Sequence, residues 1–357
     1  MAETTNIEWC DSTFNPWIGC TKISQACDFC YAADLMDSRV GKVRWGSGQP
    51  RIRTGVKDWK LPLRWDAKPF YECRQCRWRG DHPDQSAIEH LVLCPACRNS
   101  EIEPARRRVF CASLADVFDN EVDPRWRADL FALIEKTPNL DWLVLTKRIG
   151  NVPEMAGELA RMLWWPSLVD NSLLLPKNVW LGATVCNQAE ADRDIPKLLK
   201  VPASVRFLSI EPLLGPVDLS AIRFPLAEHS HEEVSVLHRK DPHALGRARP
   251  TIDWVIVGGE SGKNARPMHP EWPRSLRDQC LTAGTPFLFK QWGEWVPATS
   301  GMWFDPLVDG PAFASRAAGR DTFDFGNGYG AVRVGKRASG RQLNGADHNG
   351  YPELIRN

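Results

Sequence analysis

Three cysteines stand near the start of the chain: Cys20, then Cys27 and Cys30 with Asp28 and Phe29 between them. Three thiolates can hold three irons of a four-iron, four-sulfur cube and leave the fourth iron open to a small molecule bearing amino and carboxylate groups. The same triplet could instead be buried apolar side chains, or part of a zinc site completed by a distant ligand. Its setting favours the reactive reading. A Trp/Pro-rich stretch at 13–17 precedes it and a helix-like stretch at 31–36 follows, and loops between strand and helix are where α/β folds present reactive groups. Phe29 would cover the cluster on one side.

A second set has a different logic. Cys73 and Cys76 form one Cys-x2-Cys knuckle and Cys94 and Cys97 another, seventeen residues on. Two tight turns at this spacing present four sulfurs to one tetrahedral zinc ion, which then supplies folding energy to a module too small for its own core. With every position filled by thiolate, such a zinc has no open site for chemistry. Arg74, Arg77, Trp78 and Arg79 would give the module a basic, aromatic surface able to rest on a phosphate backbone. The alternative is a stapled loop that covers a barrel mouth or meets a partner protein. Of the remaining cysteines, Cys111 and Cys186 read as core, Cys10 as a spare ligand at most, and Cys280 is left without a role.

The elements that must position these groups show in the hydrophobic pattern. From about residue 105, apolar β-like runs at 109–114, 142–145, 179–185, 205–210, 254–257 and 286–289 alternate with helix-like stretches at 125–136, 152–164, 188–199 and 271–283. Parallel strands need crossovers, so the pattern predicts an α/β fold, a parallel (β/α) barrel or partial barrel. Polar residues fall where the runs end: Asp116, Thr146-Lys147-Arg148, Glu211, Gly258-Gly259-Glu260 and Lys290. In a parallel barrel the carboxyl ends of all strands lie at one mouth, so these groups should converge. The expected organisation is a core of 1–69 and 104–297, a zinc-knuckle insert at 70–103, an exposed insertion at 225–250 and an irregular C-terminal extension at 298–357, read as a cap or short β elements. The insertion carries His229, His231, His238 and His243, whose spacing fits no familiar zinc pair.

Cys-x-aromatic-Cys after an earlier cysteine resembles the radical S-adenosylmethionine enzymes, with a first gap of six residues here where those enzymes have three. The chain as a whole resembles a phage and prophage family described by its three-cysteine motif. The blocks that carry this include Ile7-Glu8-Trp9, Asn15-Pro16-Trp17, Gly19-Cys20-Thr21-Lys22, Cys30-Tyr31-Ala32, Leu145-Thr146-Lys147-Arg148, Ser209-Ile210-Glu211-Pro212, the stretch 254–262, Ala265-Arg266-Pro267-Met268, Phe289-Lys290-Gln291-Trp292-Gly293 and Gly335-Lys336. The resemblance implies a 4Fe-4S cluster on Cys20, Cys27 and Cys30, S-adenosylmethionine on its open iron, an external electron donor, and a 5′-deoxyadenosyl radical; the expected substrate, a nucleic acid or a nucleotide, rests on the knuckle module, the local arginines and that family's phage setting. Within that scheme Glu211 or Glu260 would hold the cofactor's amino group and Arg148 or Lys147 its carboxylate. Gly258 and Gly259 would let the backbone approach it, with Lys290 in the same set. The competing expectation is a metal-stapled scaffold for nucleic acid or a partner protein, without catalysis.

Bulk properties narrow the classes. With 357 residues, 43% hydrophobic and 25% charged, the chain should fold around a sizeable core. A net charge of +1 excludes a strongly basic overall field, leaving only local patches for nucleic acid. No apolar run is long enough for a signal peptide or a membrane span, which predicts a cytoplasmic protein. Eleven cysteines in a reducing compartment argue for metal ligands over disulfides.

Overall fold

The computed structural model describes residues 1–85, 92–164, 175–227, 230–237, 250–299, 319–326 and 328–353. Its centre is one seven-stranded sheet, made of β1 (Ser12–Phe14), β2 (Arg107–Cys111), β3 (Leu140–Thr146), β4 (Val179–Thr184), β5 (Val205–Ile210), β6 (Trp254–Gly258) and β7 (Phe287–Gln291). The strands lie in that spatial order and every pairing is parallel. Among the described residues β1 and β7 do not pair, so the sheet is a half-barrel and not a closed barrel. β1 is the strand the apolar runs left out, because three residues are too few to show a period.

Four helices make crossovers: α1 (Pro124–Glu135), α2 (Val152–Leu163), α3 (Gln188–Lys200) and α4 (Glu271–Ala283). Their ends follow local chemistry. Asp123 caps α1 by accepting from the Arg125 N–H, with Pro124 at the first position where its missing N–H costs nothing. Asn187 caps α3 by accepting from the Glu190 N–H. Gly284, at φ +72°, ends α4 in the left-handed region.

Side chains alternate across each strand and divide the core in two. Val109 and Cys111, Trp142 and Val144, Val255 and Val257, and Phe287 and Phe289 face the helices. Phe110, Leu143, Phe207, Trp254, Ile256 and Leu288 face the other way, where they pack on Trp9, Cys10, Ile7 and Tyr351 from the two ends of the chain. The concave side of the sheet is therefore filled by terminal segments, the Tyr351 hydroxyl donating to the Glu8 carbonyl at 2.5 Å. Many tryptophans are structural: Trp17, Trp65, Trp142, Trp180 and Trp254 are buried in these two layers.

β structure occurs in the predicted insertion and in the C-terminal extension, where short β elements were one of the expectations. Ile222–Ala227 and Ser230–Val234 form an antiparallel hairpin where an aperiodic insertion was expected. His231 lies on it, while His229, His238 and His243 fall outside the described residues. In the C-terminal extension, Trp295–Thr299, Thr322–Asp324 and Tyr329–Arg333 form a three-stranded antiparallel sheet.

Candidate functional site

The alternation that buries Phe207 also fixes which polar residues face inward. Ser209 and Glu211 follow Phe207 at two-residue steps along β5, and Lys290 follows Leu288 on β7, so their side chains emerge on the concave side at the carboxyl end of the sheet. The loop after β1 brings the cysteines to the same place. Cys20, Cys27 and Cys30 line one cavity of about 370 Å³, together with Lys147, Arg148, Glu211, Gly259, Glu260 and Lys290. Gly258 stands behind Glu211, where a Cβ would come within 3.3 Å of the Glu211 Cδ.

Several of these side chains already have partners that give them definite tasks. Arg148, buried, donates from Nη1 to the Cys20 Sγ at 3.4 Å and from Nη2 to the Thr21 carbonyl at 2.8 Å, and it pairs with Asp116 at 3.4 Å. Burial, reinforced by Asp116 and opposed by Arg148, pushes the Cys20 thiol up to about 12. Glu260 takes the Arg266 backbone N–H at 2.8 Å and the Arg266 guanidinium at 2.7 Å. That guanidinium also reaches Asp28 at 3.1 Å and the Gln25 carbonyl at 2.9 Å, and lies 5.0 Å from the Phe29 ring centroid. Glu260 thus acts on the cysteine loop through Arg266. Glu211 accepts from Lys290 Nζ at 2.7 Å and from Gln291 Nε2 at 3.1 Å.

Gly259 makes room for protein rather than for a ligand. A Cβ there would sit 1.9 Å from the Trp292 carbonyl oxygen, and one at Gly293 would sit 2.0 Å from the Glu260 carbonyl oxygen. The two glycines let the chain ends leaving β6 and β7 touch.

Sequence reasoning gave no role to three contributors. Arg266 carried no sign of its contact with residues 25–29, which are distant in the chain. Thr184 Oγ1 and Trp9 Nε1 belong to residues that line the cavity, yet both atoms are buried without a hydrogen-bond partner among the described residues. Thr184 ends an apolar run and Trp9 lies in the N-terminal segment, so only the assembled sheet reveals them.

The second cysteine set forms a compact group that could hold a metal ion. The four sulfurs lie within 4.8 Å of one another. Cys73 Sγ is 3.6 Å from Cys97 Sγ and Cys76 Sγ is 3.5 Å from Cys94 Sγ, close to the edge of about 3.8 Å in a tetrahedron with metal–sulfur bonds of about 2.3 Å. The knuckles are geometric copies: Arg77 and Arg98 donate to the Cys73 and Cys94 carbonyls, each at 2.9 Å, and each has φ +63°.

The module docks away from the cavity. Arg79 reaches Asp11 at 2.9 Å and the Arg106 carbonyl at 2.6 Å, just before β1 and β2 begin. It therefore sits at the amino ends of the strands and does not cover the mouth. Its basic surface is also paired: Arg74 with Glu103 at 2.6 Å, Arg77 with Glu72 at 3.7 Å, and Arg98 with Asp84.

A family model described as "Protein of unknown function (DUF5131)" matches residues 4–352. The chain belongs to the DUF5131 family. No curated protein and no solved structure matches it. The family match spans both cysteine sets, the whole half-barrel and most of the C-terminal extension of this DUF5131 chain. Among its described residues no helix is long and apolar enough to cross a membrane.

Proposed function

We propose that this DUF5131 protein is a cytoplasmic iron–sulfur enzyme of radical S-adenosylmethionine type, with structural zinc on Cys73, Cys76, Cys94 and Cys97. The observation that supports it is the meeting of Cys20, Cys27 and Cys30 with the strand-end residues in one cavity at the carboxyl edge of a parallel sheet. Three thiolates can hold three irons of a four-iron cluster and leave the fourth open to a ligand in that cavity. When bound, the cluster and S-adenosylmethionine would supply one-electron cleavage of the sulfonium, with electrons from an external donor.

The remaining tasks belong to side chains that line the cavity or flank it. Arg148 and Arg266 hold the two arms of the cysteine loop. With Arg148 so engaged, Lys147 is the strand-end cation available for a ligand carboxylate, since it forms no ion pair among the described residues. Glu211, backed by Lys290, is placed to accept from a ligand amino group. Thr184 and Trp9 offer polar atoms that a bound ligand would satisfy. Trp9, Phe110 and Leu145 wall the same cavity and limit water. The proposed substrate is a nucleic acid or nucleotide, on the resemblance to a phage family. Lys22 and Lys336 at the cavity rim would favour such an anion.

Anaerobic purification followed by iron, sulfide and zinc analysis tests the assignment. About four irons and one zinc per chain are expected from the ligand counts. Cys27→Ala should lose iron and colour while keeping zinc, and dithionite with S-adenosylmethionine should yield 5′-deoxyadenosine only in the unsubstituted protein. Colourless, iron-free protein from anaerobic preparation would overturn the proposal.

A further inference from the structure

The two arginines that hold the cysteine loop differ in one respect. Arg148 donates directly to a sulfur, Cys20 Sγ, at 3.4 Å. Arg266 touches residues around the other two cysteines, through the Asp28 carboxylate, the Gln25 carbonyl and the Phe29 ring, with no bond to sulfur. Arg148 is also fixed on its far side. Asp116 accepts from its Nη1 at 3.4 Å, Asp119 lies 3.8 Å from its Nη2, and its own backbone N–H donates to Thr146 Oγ1 at 2.8 Å. Thr146 Oγ1 in turn donates to Asp116 Oδ1 at 2.8 Å. The guanidinium is therefore immobilised at the end of β3 with one N–H aimed at Cys20.

We infer that Arg148 is a positioning residue that sets the reduction potential of the centre on Cys20, Cys27 and Cys30, whereas Arg266 only orders the loop. This rests on the iron–sulfur reading above. A donor to a ligand sulfur stabilises the electron-rich reduced form more than the oxidised form, and raises the potential. In a buried setting that contribution is large because water does not screen it. The carboxylates of Asp116 and Asp119 take up much of the guanidinium charge, so the directed N–H matters more than the net charge. Arg148→Lys tests this distinction, because it keeps a cation beside Asp116 but cannot hold the Thr21 carbonyl, Asp116 and the Cys20 sulfur in one planar fork.

The experiment is an anaerobic redox titration followed by electron paramagnetic resonance on the full-length protein, its Arg148→Lys and Arg266→Gln variants, and an Arg148→Met/Asp116→Asn double variant that removes the ion pair and the N–H donor together. Iron and sulfide content are measured on each. The expected result is a midpoint potential shifted to more negative values in Arg148→Lys and in the double variant, at unchanged iron per chain. Arg266→Gln should keep the wild-type midpoint, and its cysteine loop should exchange amide hydrogens faster. A wild-type midpoint in both Arg148 variants would overturn the inference while leaving the iron–sulfur assignment intact. An equal shift in Arg266→Gln would also overturn it, since loop order alone would then explain the potential. Iron-free wild-type protein would refute the assignment itself, and the inference with it.

Discussion

At the level of single residues, the cavity shows how much of a strand-end motif serves the protein before it serves a ligand. Gly259 faces the Trp292 carbonyl at a distance that no Cβ tolerates, and Gly293, at φ +87°, faces the Glu260 carbonyl. Because the obstructing atoms are backbone, neither contact is relieved by a rotamer change. Gly259→Ala should lower stability by at least about 3 kcal/mol, read as an earlier urea midpoint; an unchanged midpoint would contradict the close approach. Thr184 presents the opposite case. Its buried hydroxyl has no partner among the described residues, and leaving such a group unsatisfied costs roughly 1–3 kcal/mol. Thr184→Val keeps the shape and deletes the orphan, so the ligand-free protein should melt at the same temperature or higher. Affinity for S-adenosylmethionine should fall. A variant that melts lower and binds equally well would show that the hydroxyl serves the fold.

Between elements, the decisive contacts lie beneath the cysteine loop. Arg51 and Asp119 form an ion pair at 2.8 Å whose side chains are 1% and 2% exposed, tying the chain after the cysteines to the segment between β2 and α1. Removing Asp119 leaves the buried Arg51, among the described residues, only the more exposed Glu121, at 3.4 Å, as an ionic partner, so Asp119→Ala should cost up to about 3 kcal/mol and reduce iron retention. Unaltered stability would mean the charge is relieved by solvent. Nearby, desolvation raises the Glu121 carboxyl, but the Gly48 N–H, Arg51, Ser47 and Thr21 outweigh it and hold the group below its usual range. A carboxyl depressed on folding stabilises the native state above its unfolded value, about 4.3, and that contribution disappears as pH falls through the folded value. The acid limb of a stability–pH curve should therefore be shallower in Glu121→Gln below about pH 4.3. Elements of this kind divide by legibility. The runs ending at Leu145, Ile210 and Val257 were readable because parallel strands buried on both faces are continuous apolar stretches, and the meeting of Lys147, Glu211 and Lys290 followed from strand direction alone. β1, the hairpin at 222–234 and the Arg266 contact were not: three residues carry no period, alternation is weak in Ser230–Val234, and a link spanning more than two hundred residues leaves no local trace.

Over the whole molecule, two cysteine sets occupy opposite poles of one sheet, and that separation makes their roles testable independently. The knuckle module is joined to the half-barrel at the amino ends of the strands. Arg79 binds Asp11, whose carboxylate also accepts the Arg108 backbone N–H at 2.7 Å, and Arg107 pairs with Asp81 at 3.1 Å. Its own strands are two or three residues long, too short to persist without a cross-link. The four sulfurs are therefore the module's main source of order, and a bound metal converts its binding energy into folding energy. Chelation, or Cys76→Ser, should release one equivalent of zinc, lower the melting temperature and open residues 70–104 to proteolysis. Because β1 runs from Asp11 at this pole towards the cysteine loop, loosening would have to cross that strand and the Trp9–Phe110 layer, whose ring centroids are 4.4 Å apart, to reach the cavity. Those rings belong to a second core layer with its own contacts, so the disturbance should stop there and the Cys76→Ser protein, prepared anaerobically, should retain its iron. Loss of iron together with zinc would show instead that the two poles form one cooperative unit, with the module setting the register of β1 against β2.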